Sequence, residues 1–186
     1  MTWLTWALDE RLANPGDTLP VAGHLDVDAY TLGDHDFRLP DGIDYDLMLT
    51  NAGEGILATG MLEAHVEGTC DRCLDVATFD VAGEVDEYFL FHEPDPEMLG
   101  DDEDAIDFSL VGPDRTIDLT DALGSALIME TPFVVLCRED CKGLCPECGA
   151  NLNETDCGHA AEREARREAE RRAASPFAIL NDITFD

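Results

Sequence analysis

Between Cys137 and His159 the chain reads CREDCKGLCPECGANLNETDCGH, which puts Cys137, Cys141, Cys145, Cys148, Cys157 and His159 into one short segment. A stretch of that length cannot bury enough apolar surface to fold on a hydrophobic core alone. Cys70 and Cys73, within Gly68-Thr-Cys-Asp-Arg-Cys-Leu-Asp75, raise the number of nitrogen and sulfur donors to eight. Seven cysteines at short spacings, an odd number, argue against a disulfide framework and for metal binding. Eight donors suffice for two tetrahedral zinc sites of four ligands each. In Cys-x-x-Cys-Gly, two thiolates three positions apart converge on one ion while the glycine permits the turn that aims backbone N–H groups at sulfur.

Two partitions of these donors are compatible with the spacing. In the local one, Cys145, Cys148, Cys157 and His159 form a site of three cysteines and one histidine, and Cys70 and Cys73 join Cys137 and Cys141 in a long-range site. In the other, the Cys-x-x-Cys pairs Cys70/Cys73 and Cys145/Cys148 share one ribbon-like site of four cysteines. The local partition is the expected one. The cofactor expectation is therefore Zn2+, one or two ions, in a structural role. Thiol–disulfide exchange at Cys70-Asp-Arg-Cys73 is disfavoured. That motif normally opens a helix that lowers the thiol pKa, whereas here it falls between two strands, and Asp71 and Asp75 beside it should raise the pKa. His24, His35, His65 and His92 lack ligand spacing and read as surface or satisfied core residues. Trp3, Trp6, Tyr88 and Phe89 read as packing residues. No phosphate-cradling loop or nucleophile elbow is present, so no enzyme activity is expected.

The first half of the chain alternates with period two. Ile43, Tyr45, Leu47 and Leu49 mark one strand, and Leu62, Ala64 and Val66 another. Ala77, Phe79, Val81, Val85, Phe89 and Phe91 continue the alternation on one face of a third segment. The simplest arrangement is a long antiparallel hairpin with Cys70 and Cys73 at its tip. Glu93 to Asp107 carries eight acidic residues and no basic one, as a solvated linker would. Asp118 or Thr120 can cap a helix through Ala122 to Glu130, with an apolar stripe of Leu123, Ala126, Leu127 and Glu130 ended by Pro132. Phe133 to Leu136 then runs extended into Cys137. Ala161 to Ala174 is a strong helix former, polar nearly all round, and should be solvent-exposed. Phe177, Ile179, Leu180, Ile183 and Phe185 beyond it need a surface to dock on.

The fold class expected is α+β: an antiparallel β-rich core, a C-terminal cysteine-rich zinc segment and a solvent-exposed helix. The expected divisions are a β-rich core over 1–92, an acidic linker or loop over 93–116, and a helix with an extended run packing on the core over 117–136. A zinc-binding segment over 137–159 and a charged helix with a docking tail over 160–186 follow.

Charge limits the partners. The formal net charge is −31, with 42 acidic against 11 basic residues. Such a field repels nucleic acid at ranges up to about a Debye length. Seven of the basic residues lie between Arg138 and Arg172, making that end nearly neutral. The start MTWLTWALDE has neither the basic region nor the apolar run of a secretory signal, and no stretch approaches a membrane span, so a cytoplasmic location and no membrane partner are expected.

The pairing of Cys70-Asp-Arg-Cys73-Leu74 with the string from Cys137 through Cys-Pro-Glu-Cys-Gly-Ala-Asn-Leu-Asn153 resembles the YceD family of large-subunit ribosomal RNA accumulation proteins. Ile117-Asp-Leu119, Glu130-Thr-Pro132 and the terminal Ser175-Pro-Phe-Ala-Ile-Leu180 extend the resemblance. It implies a cytoplasmic, non-enzymatic ribosome-biogenesis factor that supports accumulation or processing of large-subunit (23S) ribosomal RNA. Its partner would be a large-subunit assembly intermediate or a basic ribosomal protein. Two departures stand out: His159 occupies the place of the family's usual last cysteine, and the acidity puts direct RNA binding in doubt. A zinc-dependent protein-interaction module of another pathway, such as transcription regulation, is the alternative.

Overall fold

The computed structural model describes residues 4–94 and 109–174. Trp3, most of the acidic stretch and the tail from Ser175, with Phe177, Ile179, Leu180, Ile183 and Phe185, lie outside the described residues. The chain divides into two units, one of residues 1–69 and 76–135, the other of residues 70–75 and 136–186.

The first unit is built on period-two alternation. Strands β1 (Thr5–Ala7), β2 (Thr18–Leu25), β3 (Ala29–Leu32), β4 (His35–Arg38), β5 (Ile43–Asn51), β6 (Gly55–Thr69) and β7 (Val76–Leu90) follow in order, then β8 (Ser109–Leu110) and β9 (Thr116–Asp118). In β5 every odd position from Ile43 to Asn51 is buried and the intervening residues face outward or are half-buried. The long strand β6 organises the sheet. One edge pairs antiparallel with β7 along its whole length, from Gly55↔Leu90 to Thr69↔Val76. The other edge is shared, β5 pairing as far as Asp44↔Glu63 and β4 at Arg38↔Glu67. β2 lines β5, β3 lines β4, and β8 adds in parallel to β7. A separate ribbon joins β1 to β9. Parts of the stretch expected to be linker, residues 109–110 and 116, are thus drawn into paired strand. The apolar Ile117 of β9 is fully buried, which gives that end a reason to order.

Helix α1 (Thr120–Glu130) takes as its N-cap neither of the two expected residues, Asp118 and Thr120. Leu119 is the capping residue, while the Asp118 carboxylate accepts the Thr120 N–H at 2.9 Å. Its buried stripe is Ala122, Leu123, Ala126 and Leu127; Glu130, expected on that stripe, is exposed. The helix packs on β7 where Gly83 stands, since a Cβ there would lie 2.6 Å from the Ala126 carbonyl oxygen. With Phe37, Ile43, Leu47, Leu49, Leu62 and Phe89 it closes one apolar core. Burial of such side chains contributes about 1.5–3 kcal/mol each. Trp6 is half-buried, and Tyr88 likewise.

The second unit holds the turn Cys70–Asp75, the cysteine string and helix α2 (His159–Ala174). α2 starts two residues earlier than expected, so His159 is its first residue. Apart from His159 and Arg163, which are half-buried, its surface is exposed wherever described. The architecture is α+β with antiparallel pairing dominant and a cysteine-rich C-terminal region. Among the described residues no helix is long and apolar enough to cross a membrane.

Candidate metal centres

Both Cys-x-x-Cys turns have the same backbone design. In the first, the Cys70 N–H donates to Asp75 O at 2.8 Å and the Leu74 N–H to Cys70 O at 2.9 Å. In the second, the Cys145 N–H donates to Ala150 O and the Gly149 N–H to Cys145 O, each at 2.8 Å. The residue after the second cysteine is left-handed in both, Leu74 at φ 64° and Gly149 at φ 72°. Glycine takes that conformation freely, whereas for leucine it costs about 1–2 kcal/mol. A strained leucine held there indicates that the turn is over-determined by what surrounds it.

These turns draw the donors into two clusters. Cys70, Cys73, Cys137 and Cys141 form one, and Cys145, Cys148, Cys157 and His159 the other, with ligand atoms of each cluster within 4.8 Å of one another. The two Cys-x-x-Cys pairs therefore fall in separate clusters, and the shared ribbon-like site is not the arrangement adopted. In the first cluster Cys70 Sγ lies 3.8 Å from Cys141 Sγ and Cys73 Sγ lies 3.5 Å from Cys137 Sγ. All seven cysteines are free, and these separations are far beyond a disulfide bond. A tetrahedral ion with sulfur ligands at its usual distance spaces them about 3.8 Å apart. In the second cluster His159 presents Nδ1 to Cys145 Sγ at 3.8 Å. The donor sets, four cysteines in one and three cysteines with a histidine in the other, are those of closed structural zinc sites. Both clusters could hold a metal ion.

The electrostatics point the same way. Burial pushes the Cys70 thiol up, but the backbone N–H groups of Cys137, Cys73 and Arg72 outweigh it and lower the pKa to about 6. The carboxylates of Asp71 and Asp75 lead one to expect raised thiols in this motif; amides pointing at sulfur reverse that sign at Cys70, but not at Cys73. Cys145 is lowered to about 6 by the N–H groups of Glu147 and Cys148. Cys141 is lowered chiefly by the Asn153 amide, whose Nδ2 donates to its sulfur at 3.3 Å. Cys73 moves the other way. The Asp75 N–H lowers it, yet burial, the Cys70 and Cys137 thiols and the Asp75 carboxylate together raise it well above the ordinary thiol value. Cys137 and Cys157 are also raised: the Cys73 thiol and the His159 N–H lower them respectively, but burial and the other thiols prevail. In each cluster, then, the geometry favours thiolate at some sulfurs while burial and crowding disfavour it at others. A divalent cation removes that conflict, because it stabilises every thiolate at once.

The clusters differ in cover. Cys70, Cys73 and Cys141 are buried and Cys137 half-buried, whereas in the second cluster Cys145 is buried, Cys148 exposed, and Cys157 and His159 half-buried. Positioning comes from residues that spacing rules do not single out. Arg72 Nη1 donates to Cys141 O at 2.9 Å, and the Leu144 N–H donates to Arg72 O at 3.0 Å. Gly143, at φ 75°, admits that approach, since a Cβ there would lie 2.9 Å from Arg72 O. Asn151 Nδ2 donates to the Asp75 carboxylate at 2.8 Å, and Asn153 Oδ1 accepts the Lys142 N–H at 2.8 Å. The Asn-Leu-Asn triplet after Cys-Gly-Ala was the available signal. The four other histidines stand outside both clusters. His24 and His65 bond the cross-strand carboxylates of Asp44 and Asp80.

The family model described as large ribosomal RNA subunit accumulation protein YceD matches residues 58–184, a span that contains all eight donors. The chain belongs to the YceD family. Uncharacterized proteins of Mycobacterium tuberculosis and Mycobacterium bovis are each 36% identical to it over 121 residues, 65% of this chain and 56% of theirs. One of Mycobacterium leprae is 32% identical over 121 residues, 65% of this chain and 54% of its own. The match thus spans little more than half the length of these relatives. No solved structure matches the chain.

Proposed function

We propose that this YceD-family protein is a non-enzymatic factor of large ribosomal subunit biogenesis, supporting accumulation of 23S ribosomal RNA, with two structural zinc ions. The ligands assigned are Cys70, Cys73, Cys137 and Cys141 for one ion and Cys145, Cys148, Cys157 and His159 for the other. The observation that carries the reading is that eight soft donors divide into two complete sets of four. A complete set leaves no open coordination position for substrate or water, which is the condition for metal-assisted hydrolysis. Zinc would supply folding free energy there, and thiolates engaged by it are poor redox nucleophiles. The family's description supplies the ribosomal context.

The acidity shapes how such a factor would act. With a net charge of −31, contact with a basic ribosomal protein is electrostatically favoured over contact with RNA phosphates. The protein would then reach large-subunit RNA through a protein partner, in the cytoplasm where subunits assemble.

Depleting the protein in its host and sedimenting the ribosomes tests the role. The expected result is a deficit of mature large subunits with accumulating precursor of their RNA; an unchanged profile would remove the ribosomal reading. Elemental analysis of the purified protein tests the cofactor, with two zinc per chain expected. Iron with visible absorbance would replace zinc by an iron–sulfur assignment.

A further inference from the structure

Within the first unit, α1 ends in a set of apolar side chains that the core does not use. Phe133 is 99% exposed and Met129 82% exposed, with Val134 and Ile128 also open to solvent. Val135 alone turns inward. Beside them is a groove of about 360 Å3 between the β3–β4 turn and the segment after α1, lined by Leu32, Phe37, Pro132, Phe133 and Val135. Its floor is rigid. Phe37 is buried, stacks on Tyr30 at 4.9 Å and meets Phe79 edge-on at 6.0 Å, and the Tyr30 hydroxyl bonds the Thr131 hydroxyl at 2.7 Å. Thr131 is itself buried and donates to Leu127 O at 2.8 Å. Phe133 is the most exposed large apolar side chain among the described residues and stands next to an apolar groove, and such patches mark contact sites.

Charge identifies the occupant. Arg11, Arg38 and Arg115 are the only lysine or arginine side chains of this unit, so almost all of the excess acidity resides in it. Asp34 lines the groove and Glu130 lies between Met129 and Pro132 in sequence. RNA, which offers phosphates and no aliphatic anchor, is repelled from such a site.

We propose that this groove docks a cationic protein segment with apolar anchors, an amphipathic helix whose leucine or phenylalanine side chains enter beside Phe133 while its lysines and arginines face the acidic surround. This rests on, and specifies, the proposed contact with a basic ribosomal protein. The apolar anchors give affinity and the charge gives orientation and encounter rate, the usual division at interfaces.

The test uses the full chain and a fluorescein-labelled synthetic peptide with leucines at helical i, i+3, i+4, i+7 spacing and lysines elsewhere. A second peptide has serine at the leucine positions, and a third probe is a single-stranded RNA oligonucleotide. Binding of the leucine peptide is expected to weaken roughly tenfold or more in Phe133→Ser/Met129→Ser, a hot-spot loss. The serine peptide should bind weakly and equally to both proteins. Since these side chains are exposed, the variant should fold, with unchanged zinc content and circular dichroism. Equal binding of both peptides, or RNA binding that needs Phe133, would overturn the proposal. So would concentration-dependent dimerisation lost in the variant, since the patch would then belong to a second copy. A Phe133→Trp reporter whose added emission, taken as the difference from the parent chain with its Trp3 and Trp6, is already that of a buried indole in the free monomer would show the chain covering its own patch, which also overturns it. The outcome is independent of the depletion experiment: normal ribosomes with anchored peptide binding would refute the ribosomal role and leave the groove standing.

Discussion

The strand unit and the cysteine unit solve the problem of burial with different materials. In the strand unit the fully buried side chains are those of Leu47, Leu49, Ile56, Leu62, Phe89, Leu123 and their apolar neighbours. Among the described residues of the cysteine unit, every buried side chain is a cysteine: Cys70, Cys73, Cys141 and Cys145, with Gly143 the one other buried residue. A core of thiols yields little hydrophobic free energy, and neighbouring thiolates repel one another. The first unit should therefore be stable by packing alone, and the second only with metal. Stability in one chain need not have one source.

The sharpest way to break this comparison is to remove the metal. Chelation is expected to withdraw on the order of 10 kcal/mol of folding free energy from the cysteine unit. Hydrogen exchange should show the Cys145 and Leu152 amides, bonded to Ala150 O and Gly143 O, losing protection while β5, β6 and β7 keep theirs. Equal loss in both units would mean that their stabilities are not separate.

The converse experiment is Leu62→Ala in the middle of β6, where the side chain is fully buried. A loss of about 3–5 kcal/mol in chemical denaturation is expected, with any bound metal retained. Metal loss in that variant would show that the strand unit is needed to hold the cysteines in place.

Smaller changes sharpen the contrast within the cysteine unit. Asn153→Ala removes the amide donor to Cys141 Sγ, and outer partners of this kind are worth roughly 10- to 100-fold in metal affinity. Competition with a chromophoric chelator should release one ion before the other. Leu74→Gly relieves a left-handed leucine and should stabilise the turn by about 1 kcal/mol, whereas Gly149→Leu should do the opposite. If both substitutions act in the same direction, the two turns are not equivalent.

The smallest effect belongs to the strand unit. His24 and His65 are raised in pKa by hydrogen bonds to the carboxylates of Asp44 and Asp80 across the strand pairs. A raised folded-state pKa means the pairs stabilise fully below the unfolded value near 6.5 and lose that contribution as pH rises through the folded value. Replacing both with glutamine should flatten the pH dependence of the melting temperature between neutral and mildly alkaline pH. An unaltered slope would show that these exposed pairs add nothing.

Much of this was readable from local pattern. Alternation in Ile43–Leu49 and Ala77–Phe89 marks which residues turn inward, because the strand period is two and one face must be buried. Helix α1 was legible with a misjudged edge. Glu130 fits the three-and-four spacing of the stripe, but it sits in the last turn, beyond the part that packs on Gly83. The pairing of 109–110 and 116–118 was hidden by the acidic residues before it, since charge density signals solvation and carries no information about a strand partner far away in sequence.

The sequence by itself determined the α+β class and the family and marked eight candidate donors, because residue type, spacing and period are local properties of the chain. Only the tertiary structure decided how the donors divide. Cys70-x-x-Cys73 and Cys145-x-x-Cys148 are equivalent as local turns. Which partners each acquires depends on bringing Cys70 beside Cys141, 71 residues away. It also decided the sign of the Cys70 shift, since amides aimed at sulfur are invisible in a list of charged neighbours. So too with Phe133 and Val135, alike in sequence as an apolar run: one meets solvent and the other the core, because only the folded backbone says which way each side chain points.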